Sequence, residues 1–231
     1  MRWPGWVAVL LAVGCGPIPA ARYGEELFRD PKLSESQYNT FSCATCHATT
    51  ATPPQGKLYA GLSLHGVASR PHWWGGYETR LLDAVNFCYT SFMRGVTPLA
   101  PDEPRSRALH EYLVGLGPDS DAPAQPFTLV RDIVDVPRGD PERGADVYRA
   151  ACQDCHGEAH TGKGRLTPLA PVLPEASQHY AERFPGVAPG LLFIEKVRHG
   201  RFFGVGGNMP PYSREALSDE DLGALLAWLG L

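Results

Sequence analysis

The feature that most constrains this chain of 231 residues is a Cys-x-x-Cys-His motif that occurs twice, from Cys43 to His47 and from Cys152 to His156. On a helix, the two cysteines of each copy stand about one turn apart. Both thiols can then bond to the vinyl groups of one haem while the following histidine reaches its iron, so the motif is a signature of haem attachment. The sequence therefore predicts two covalent haem c groups, held and ligated by Cys43, Cys46, His47, Cys152, Cys155 and His156.

Two other uses of paired cysteines compete with this interpretation. A structural zinc site needs four nitrogen or sulfur ligands, and each copy of the motif supplies only part of such a set. A thioredoxin-like redox pair needs a βαβ setting and no fixed histidine after the second cysteine. Because the motif occurs twice in similar surroundings, haem attachment is the favoured interpretation.

The composition narrows the class of protein. With 43% hydrophobic and 20% charged residues, the chain is expected to fold into a globular protein. Its net charge of −4 offers no basic surface for nucleic acid, so no nucleic-acid partner is expected. No apolar run reaches the roughly 18 residues that a membrane-spanning helix needs.

Residues 1–20 are predicted to be a targeting segment rather than part of the fold. A short apolar run, residues 6–13, leads to Cys15 through a segment that resembles a bacterial lipobox, although the usual leucine three residues before the cysteine is Ala12. Lipidation of Cys15 would anchor the protein to a membrane surface on the periplasmic side. The alternative is ordinary signal cleavage near Ala20, and either route exports the protein.

The sequence around the two motifs is duplicated. Gly144 and Tyr148 share one face of a predicted helix that opens near Asp140, and Gly24 and Phe28 repeat their spacing upstream of the first motif. These segments resemble class I cytochromes c, in which such a glycine lets the N-terminal helix cross the C-terminal helix closely. The resemblance implies that an aromatic residue packs into each crossing.

The corresponding C-terminal helices are predicted at 105–116 and 218–229, where apolar residues form one stripe and Ser218 begins a capping box. Between them, the proline-rich residues 117–137 are predicted to form a linker, with a short strand at 127–130. The expected fold is therefore all-α, with two tandem class I cytochrome c-like domains at 21–116 and 138–231.

Each iron needs a second axial ligand, and its identity sets the potential and the access of substrate. In the second domain, the segment around Met209 resembles the methionine-ligand loop of class I cytochromes c, which implies that Met209 binds the second iron. The alternative role for Met209 is that of a core side chain that fills a gap. Residues 163–171 correspond to the loop beneath the proximal histidine.

In the first domain, the candidates for the second axial ligand are Cys88, Met93, His65 and His72. Cys88 is the cysteine without another assigned role in an oxidising compartment, where a spare thiol is unusual. Residues 23–116, including Asn86-Phe87-Cys88, resemble the haem-1 domain of dihaem thiosulfate dehydrogenases and related sulfur-oxidation cytochromes. That resemblance implies that Cys88 is the distal ligand, as a thiolate.

An arginine that those enzymes commonly carry corresponds to Ala84 in this chain, although Arg80 and Arg94 are nearby cations that could serve an anion site. The expected function is electron transfer between a redox donor and an acceptor. The alternative is oxidation of a sulfur anion at the first haem. The segment 27–34 also resembles the first-haem region of bacterial dihaem peroxidases, which implies a third, minor possibility.

Overall fold

The computed structural model describes residues 18–117, 122–128, 130–200 and 208–231. Within these ranges the chain is helical and has no strand, apart from one isolated bridge between Trp73 and Glu78. The α-helices are α1 (Ala20–Arg29), α2 (Cys43–Cys46), α3 (Leu81–Ser91), α4 (Pro104–Val114), α5 (Pro141–Ala151), α6 (Gln153–His156), α7 (Glu175–Arg183), α8 (Pro189–His199) and α9 (Asp219–Leu229). The prediction of an all-α chain is confirmed for the part that the structure describes.

Helices α1 and α4 cross at Gly24. A Cβ atom on Gly24 would lie 2.0 Å from the carbonyl oxygen of Ala108, so the absence of a side chain is what lets the two backbones approach. One turn further along α1, the ring of Phe28 lies 5.3 Å from the ring of Tyr112 and is almost fully buried. This is the crossing that the sequence predicted for the first half.

Helices α5 and α9 cross in the same way at Gly144, where a Cβ atom would lie 2.1 Å from the carbonyl oxygen of Ala224. The ring of Tyr148 lies 4.9 Å from the ring of Trp228. Half of the predicted capping box is present, because the Ser218 hydroxyl accepts a hydrogen bond from the backbone N–H of Asp221. The two helix pairs therefore share one packing geometry.

Each helix pair contributes to its own hydrophobic core. The first core is built from the buried residues Leu27, Phe28, Leu33, Val67, Tyr89, Met93, Leu99, Ala108, Leu109 and Leu113. The second is built from Val136, Val147, Tyr148, Cys152, Leu173, Phe193, Ile194, Val197, Tyr212, Leu217, Leu222, Leu225, Leu226 and Leu229. The described residues therefore form two separate hydrophobic cores, one in each half.

The two halves pack against each other through residues 57–60. The backbone N–H of Leu58 donates to the carbonyl of Ala150 at 3.0 Å, and Lys57 forms an ion pair with Asp154 inside the second motif. The side chains of Leu58 and Ala60 pack on the second core. The segment after the first motif is thus part of the wall of the second half.

The described part of the proline-rich connection lies against the protein. Residues 127, 128 and 130 form no strand, so the predicted strand at 127–130 is wrong for these positions. Thr128 donates two hydrogen bonds to the carboxylate of Glu215, and Phe127 packs edge-on to Trp74. The segment is therefore held by these contacts and not by pairing with a neighbouring strand. Val136, near the end of the predicted linker, is buried in the second core.

Helix α4 ends at Val114, two residues before the predicted end at Leu116. No helix in the described ranges has the length and apolar character needed to cross a membrane. Cys15, the predicted lipidation site, lies outside the described residues.

Candidate haem-binding sites

The first candidate site is an apolar cavity between α2 and α3, with a volume of about 1340 Å³ including its open mouth. Cys43, Cys46 and His47 line it together. The short helix α2 is fixed at its start by a capping box, in which the side chains of Ser42 and Thr45 bond to each other's backbone N–H groups. The two thiols and the imidazole therefore open onto the same space.

The orientation of His47 suits an iron ligand. Its Nδ1 lies 2.8 Å from the carbonyl oxygen of Leu62, and a carbonyl can only accept, so Nδ1 carries the proton. Burial lowers the pKa of His47, which favours the neutral imidazole with a free lone pair on Nε2. Gly61 packs against the ring, since a Cβ there would lie 2.2 Å from its Cε1 atom. The ring is thus held with one nitrogen available to a metal.

The second candidate site repeats this arrangement. His156 Nδ1 lies 2.9 Å from the carbonyl oxygen of Pro171, at the end of the loop predicted to lie beneath it. Burial lowers the pKa of His156 as well. His156 lines a cavity of about 1520 Å³, including its mouth, together with Cys152 and Cys155. In both sites the accepting carbonyl is 15 residues beyond the histidine.

Met209 lines the same cavity as His156. The loop that carries it is held from its C-terminal side, because the Tyr212 N–H donates to Val197 at 2.8 Å and the Tyr212 hydroxyl donates to Ala151 at 2.7 Å. The buried guanidinium of Arg198 donates to three carbonyl groups in and after this loop, at Tyr212, Ser213 and Leu217. The methionine predicted as the second axial ligand is therefore on a well-supported loop in the right cavity.

The first cavity contains three of the four candidates for its second axial ligand. Cys88 on α3, the buried Met93 and His72 line it, whereas His65 is exposed and does not. Burial raises the pKa of Cys88 to about 12, and the neighbouring Cys43 adds to this, so without a metal the thiol keeps its proton. Binding to iron as a thiolate would release that proton.

The structure reveals two polar groups in the first cavity that the sequence did not single out. Arg70 is only 9% exposed, and its Nη2 donates to the carbonyls of Ser63 and His65 at 2.8 and 2.7 Å. No described carboxylate forms an ion pair with it. The indole Nε1 of Trp73 is buried and has no hydrogen-bond partner among the described residues. Nothing in the sequence distinguished Arg70 from the other arginines.

These two groups are a test of whether haem fits the cavity. A buried guanidinium without a carboxylate and a buried N–H without an acceptor each cost free energy. A haem carries two propionate carboxylates, which would supply an anion to Arg70 and an acceptor to Trp73. The residues present therefore fit a haem in the first cavity.

Arg80 and Arg94, the cations considered for an anion site, do not line the first cavity. Arg80 is exposed and forms an ion pair with Asp83 on its own helix. Arg94 is exposed and lies at the edge of the second cavity. The cation in the cavity of Cys88 is Arg70.

The two candidate sites are neighbours. The side chains of Phe92 and Pro210 line both cavities, and Pro211 lines the first. A charge on Cys155, in the second motif, would contribute to the raised pKa of Cys46 in the first, after the larger effects of burial and of Cys88. The attachment points of the two motifs thus lie close enough to interact.

Comparison with known proteins gives one match for the second half. Residues 139–229 match the family model described as cytochrome c oxidase, cbb3-type, subunit III. No curated protein matches the chain. The matched region contains the second motif, helices α5 to α9 and Met209. Residues 139–229 are therefore a c-type cytochrome domain, which implies a covalently bound haem c and electron transfer through it.

Proposed function

We propose that the chain is an exported c-type cytochrome that carries two covalent haems and transfers electrons between a redox donor and an acceptor. The observation that carries the proposal is the repeated histidine geometry. His47 and His156 each follow a pair of cysteines, each direct Nδ1 to a carbonyl 15 residues onward, and each line an apolar cavity. The matched domain contains only the second of these sites.

A bound haem supplies a reversible one-electron couple whose potential depends on the axial ligands. In the second site, His156 and Met209 would fill both axial positions, so the site would be closed to substrates. The apolar wall excludes water, and the Tyr212 hydrogen bonds keep the methionine loop in place. This arrangement suits a site that only accepts and donates electrons.

The number of haems is the first test of the proposal. The protein is matured in a host that attaches haem c, and its mass is measured after acid–acetone extraction. We expect two haem masses on the parent and one on each of two matched variants, Cys43→Ala/Cys46→Ala and Cys152→Ala/Cys155→Ala. A parent with a single haem, or with haem that is removed by extraction, would overturn the proposal.

A second candidate function is the oxidation of a sulfur anion at the first site. The observation in its favour is the buried Arg70 in the same cavity as Cys88, since this cation could attract an anionic substrate. In this alternative, the guanidinium of Arg70 binds the substrate and not a haem propionate. In the simplest reaction, two thiosulfate ions form one sulfur–sulfur bond and release two electrons, which two ferricyanide ions accept. Steady-state reduction of ferricyanide by thiosulfate tests it directly.

The two functions give different results in that assay. An electron carrier would be reduced by small-molecule reductants but would show no sustained turnover with thiosulfate. A sulfur-anion oxidoreductase would turn over, and Arg70→Gln would raise KM for thiosulfate while Arg80→Gln, outside the cavity, would serve as the matched control. Turnover by the parent that is equal in both variants would exclude Arg70 as the anion-binding group.

A further inference from the structure

In the described part of the chain, a side-chain hydrogen bond connects the loop that carries Met209 to the first half. The amide Nδ2 of Asn208 donates to the carbonyl oxygen of Phe92 at 3.1 Å, in a half-buried position. Phe92 caps the C-terminal end of α3, and its own N–H donates to the carbonyl of Cys88 at 3.0 Å. The residue before the candidate ligand of the second iron therefore binds the end of the helix that carries a candidate ligand of the first.

The side chains around this hydrogen bond form the partition between the two sites. Phe92 and Pro210 line both cavities. The ring of Phe92 also lies 6.5 Å from the ring of Trp74, which lines the first cavity. A displacement of Phe92 would therefore change the wall of both sites, and so would a displacement of the loop from Asn208 to Pro210.

The two sides of the Met209 loop are held by different parts of the chain. On the C-terminal side, Tyr212 is bonded to Val197 and Ala151, which both belong to the second half. Asn208, which immediately precedes Met209, is bonded to Phe92, which belongs to the first half. The placement of Met209 relative to His156 thus depends on the position of the first half.

We propose that Asn208 is a positioning residue that holds Met209 in the second site and couples it to the ligand helix of the first. This inference rests on the proposed function, because it requires a haem in each cavity. The coupling has a simple physical basis. The carbonyl oxygen of Phe92 accepts a hydrogen bond from Asn208, and the Phe92 N–H donates to the carbonyl oxygen of Cys88 on α3. A shift of α3 is therefore transmitted through Phe92 to the methionine loop.

Competition by free imidazole measures how firmly Met209 is held. Imidazole displaces a methionine ligand from ferric haem. The loss of the methionine–iron charge-transfer band reports the second site alone when Cys88, and not Met93, is the second ligand of the first iron. A lost hydrogen bond of ordinary strength changes such an equilibrium roughly 2- to 10-fold. Asn208→Asp is isosteric and lacks the N–H donor. We therefore expect both Asn208→Ala and Asn208→Asp to bind imidazole roughly 2- to 10-fold more tightly than the parent.

Lys57→Ala is the matched control, because Lys57 forms an ion pair with Asp154 across the same interface and takes no part in the hydrogen bonds described for Phe92 and Asn208. We expect its imidazole affinity to equal that of the parent. An equal increase in Lys57→Ala would show a general loosening of the interface and would overturn the assignment to Asn208. Unchanged affinity in both Asn208 variants would overturn it as well.

The coupling has its own test in a double-mutant cycle. Cys88→Ala should change the imidazole affinity of the second site in the parent but not in the Asn208→Ala background. No effect in the parent, or the same effect in both backgrounds, would refute coupling through Asn208. Either outcome, in a protein shown to carry two haems, would refute the coupling and leave the proposed function in place. A single haem by mass spectrometry would refute the proposed function itself.

Discussion

The substitution Gly24→Ala tests the crossing of α1 and α4 directly. The new Cβ would lie 2.0 Å from the carbonyl oxygen of Ala108 and 2.7 Å from the Cβ of Tyr112. Contacts of a Cβ below 3.0 Å are essentially never found in proteins. Because the nearest atom belongs to a helix backbone, no side-chain rotation relieves the clash, and the two helices must separate by about 1 Å.

The cost follows from what the crossing buries. Leu27 and Phe28 on α1 are 7% and 2% exposed, and each such side chain contributes roughly 1.5–3 kcal/mol when fully buried. A gap of up to about 1 Å loses a quarter to a half of the dispersion energy at each contact. Alanine regains at most about 1 kcal/mol of helix propensity. We expect a net destabilisation of up to about 2 kcal/mol.

Urea denaturation of the mature protein, followed by far-UV circular dichroism, measures this effect. With a slope of about 2 kcal/mol per M, the midpoint should fall by up to roughly 1 M. Gly115→Ala is the matched control, since Gly115 has φ −69° and its nearest neighbour would lie at 3.4 Å, an ordinary contact. Equal midpoints for the two variants would refute the close crossing at Gly24.

The remaining expectations concern the ligands, one buried arginine and the export signal. Met209→Ala should abolish the methionine–iron charge-transfer band and leave the electron paramagnetic resonance signal of the first haem unchanged; a band that survives would exclude Met209 as a ligand. Cys88→Ala should remove a low-spin thiolate signal and raise the potential of the first haem, because an anionic thiolate stabilises ferric iron. If Met93→Ala loses the signal instead, the first site is an ordinary histidine–methionine site. Arg198→Met should cost about 3–5 kcal/mol in denaturant unfolding, because it leaves several carbonyls and a carboxylate without their buried partner; a loss below about 1 kcal/mol would show that these bonds are dispensable. Cys15→Ser should move the protein from the membrane to the soluble periplasmic fraction, and equal solubility of parent and variant would favour cleavage near Ala20.

Local patterns predicted the helix crossings well, because their causes are local. The spacing of Gly24 and Phe28, and of Gly144 and Tyr148, follows from one turn of a helix and needs no knowledge of the partner helix. The partner stripes on α4 and α9 are equally periodic. Each crossing pairs a helix that carries a glycine and an aromatic residue one turn apart with a helix that carries an apolar stripe. Two such helices can pack against each other in few ways.

Predictions that depended on distant contacts were less accurate. The apolar run at 127–130 has the composition of a strand, but Phe127 packs against Trp74 and Thr128 is bonded to Glu215. Arg80 and Arg94 are close to Cys88 in sequence, yet neither side chain reaches the first cavity. Arg80 precedes α3 and Arg94 follows it, and both side chains are exposed, so sequence proximity does not give a shared site.

By itself, the sequence predicted the helical fold, the two crossings and the grouping of two thiols and an imidazole in each motif, since spacing along a helix places these side chains together. Only the tertiary structure decided which groups meet across long distances. Arg70 and the buried indole of Trp73 line the first cavity, and Asn208 reaches Phe92 from the other half. Such contacts depend on how two separately formed cores pack against each other, and that packing leaves no periodic signal in the chain.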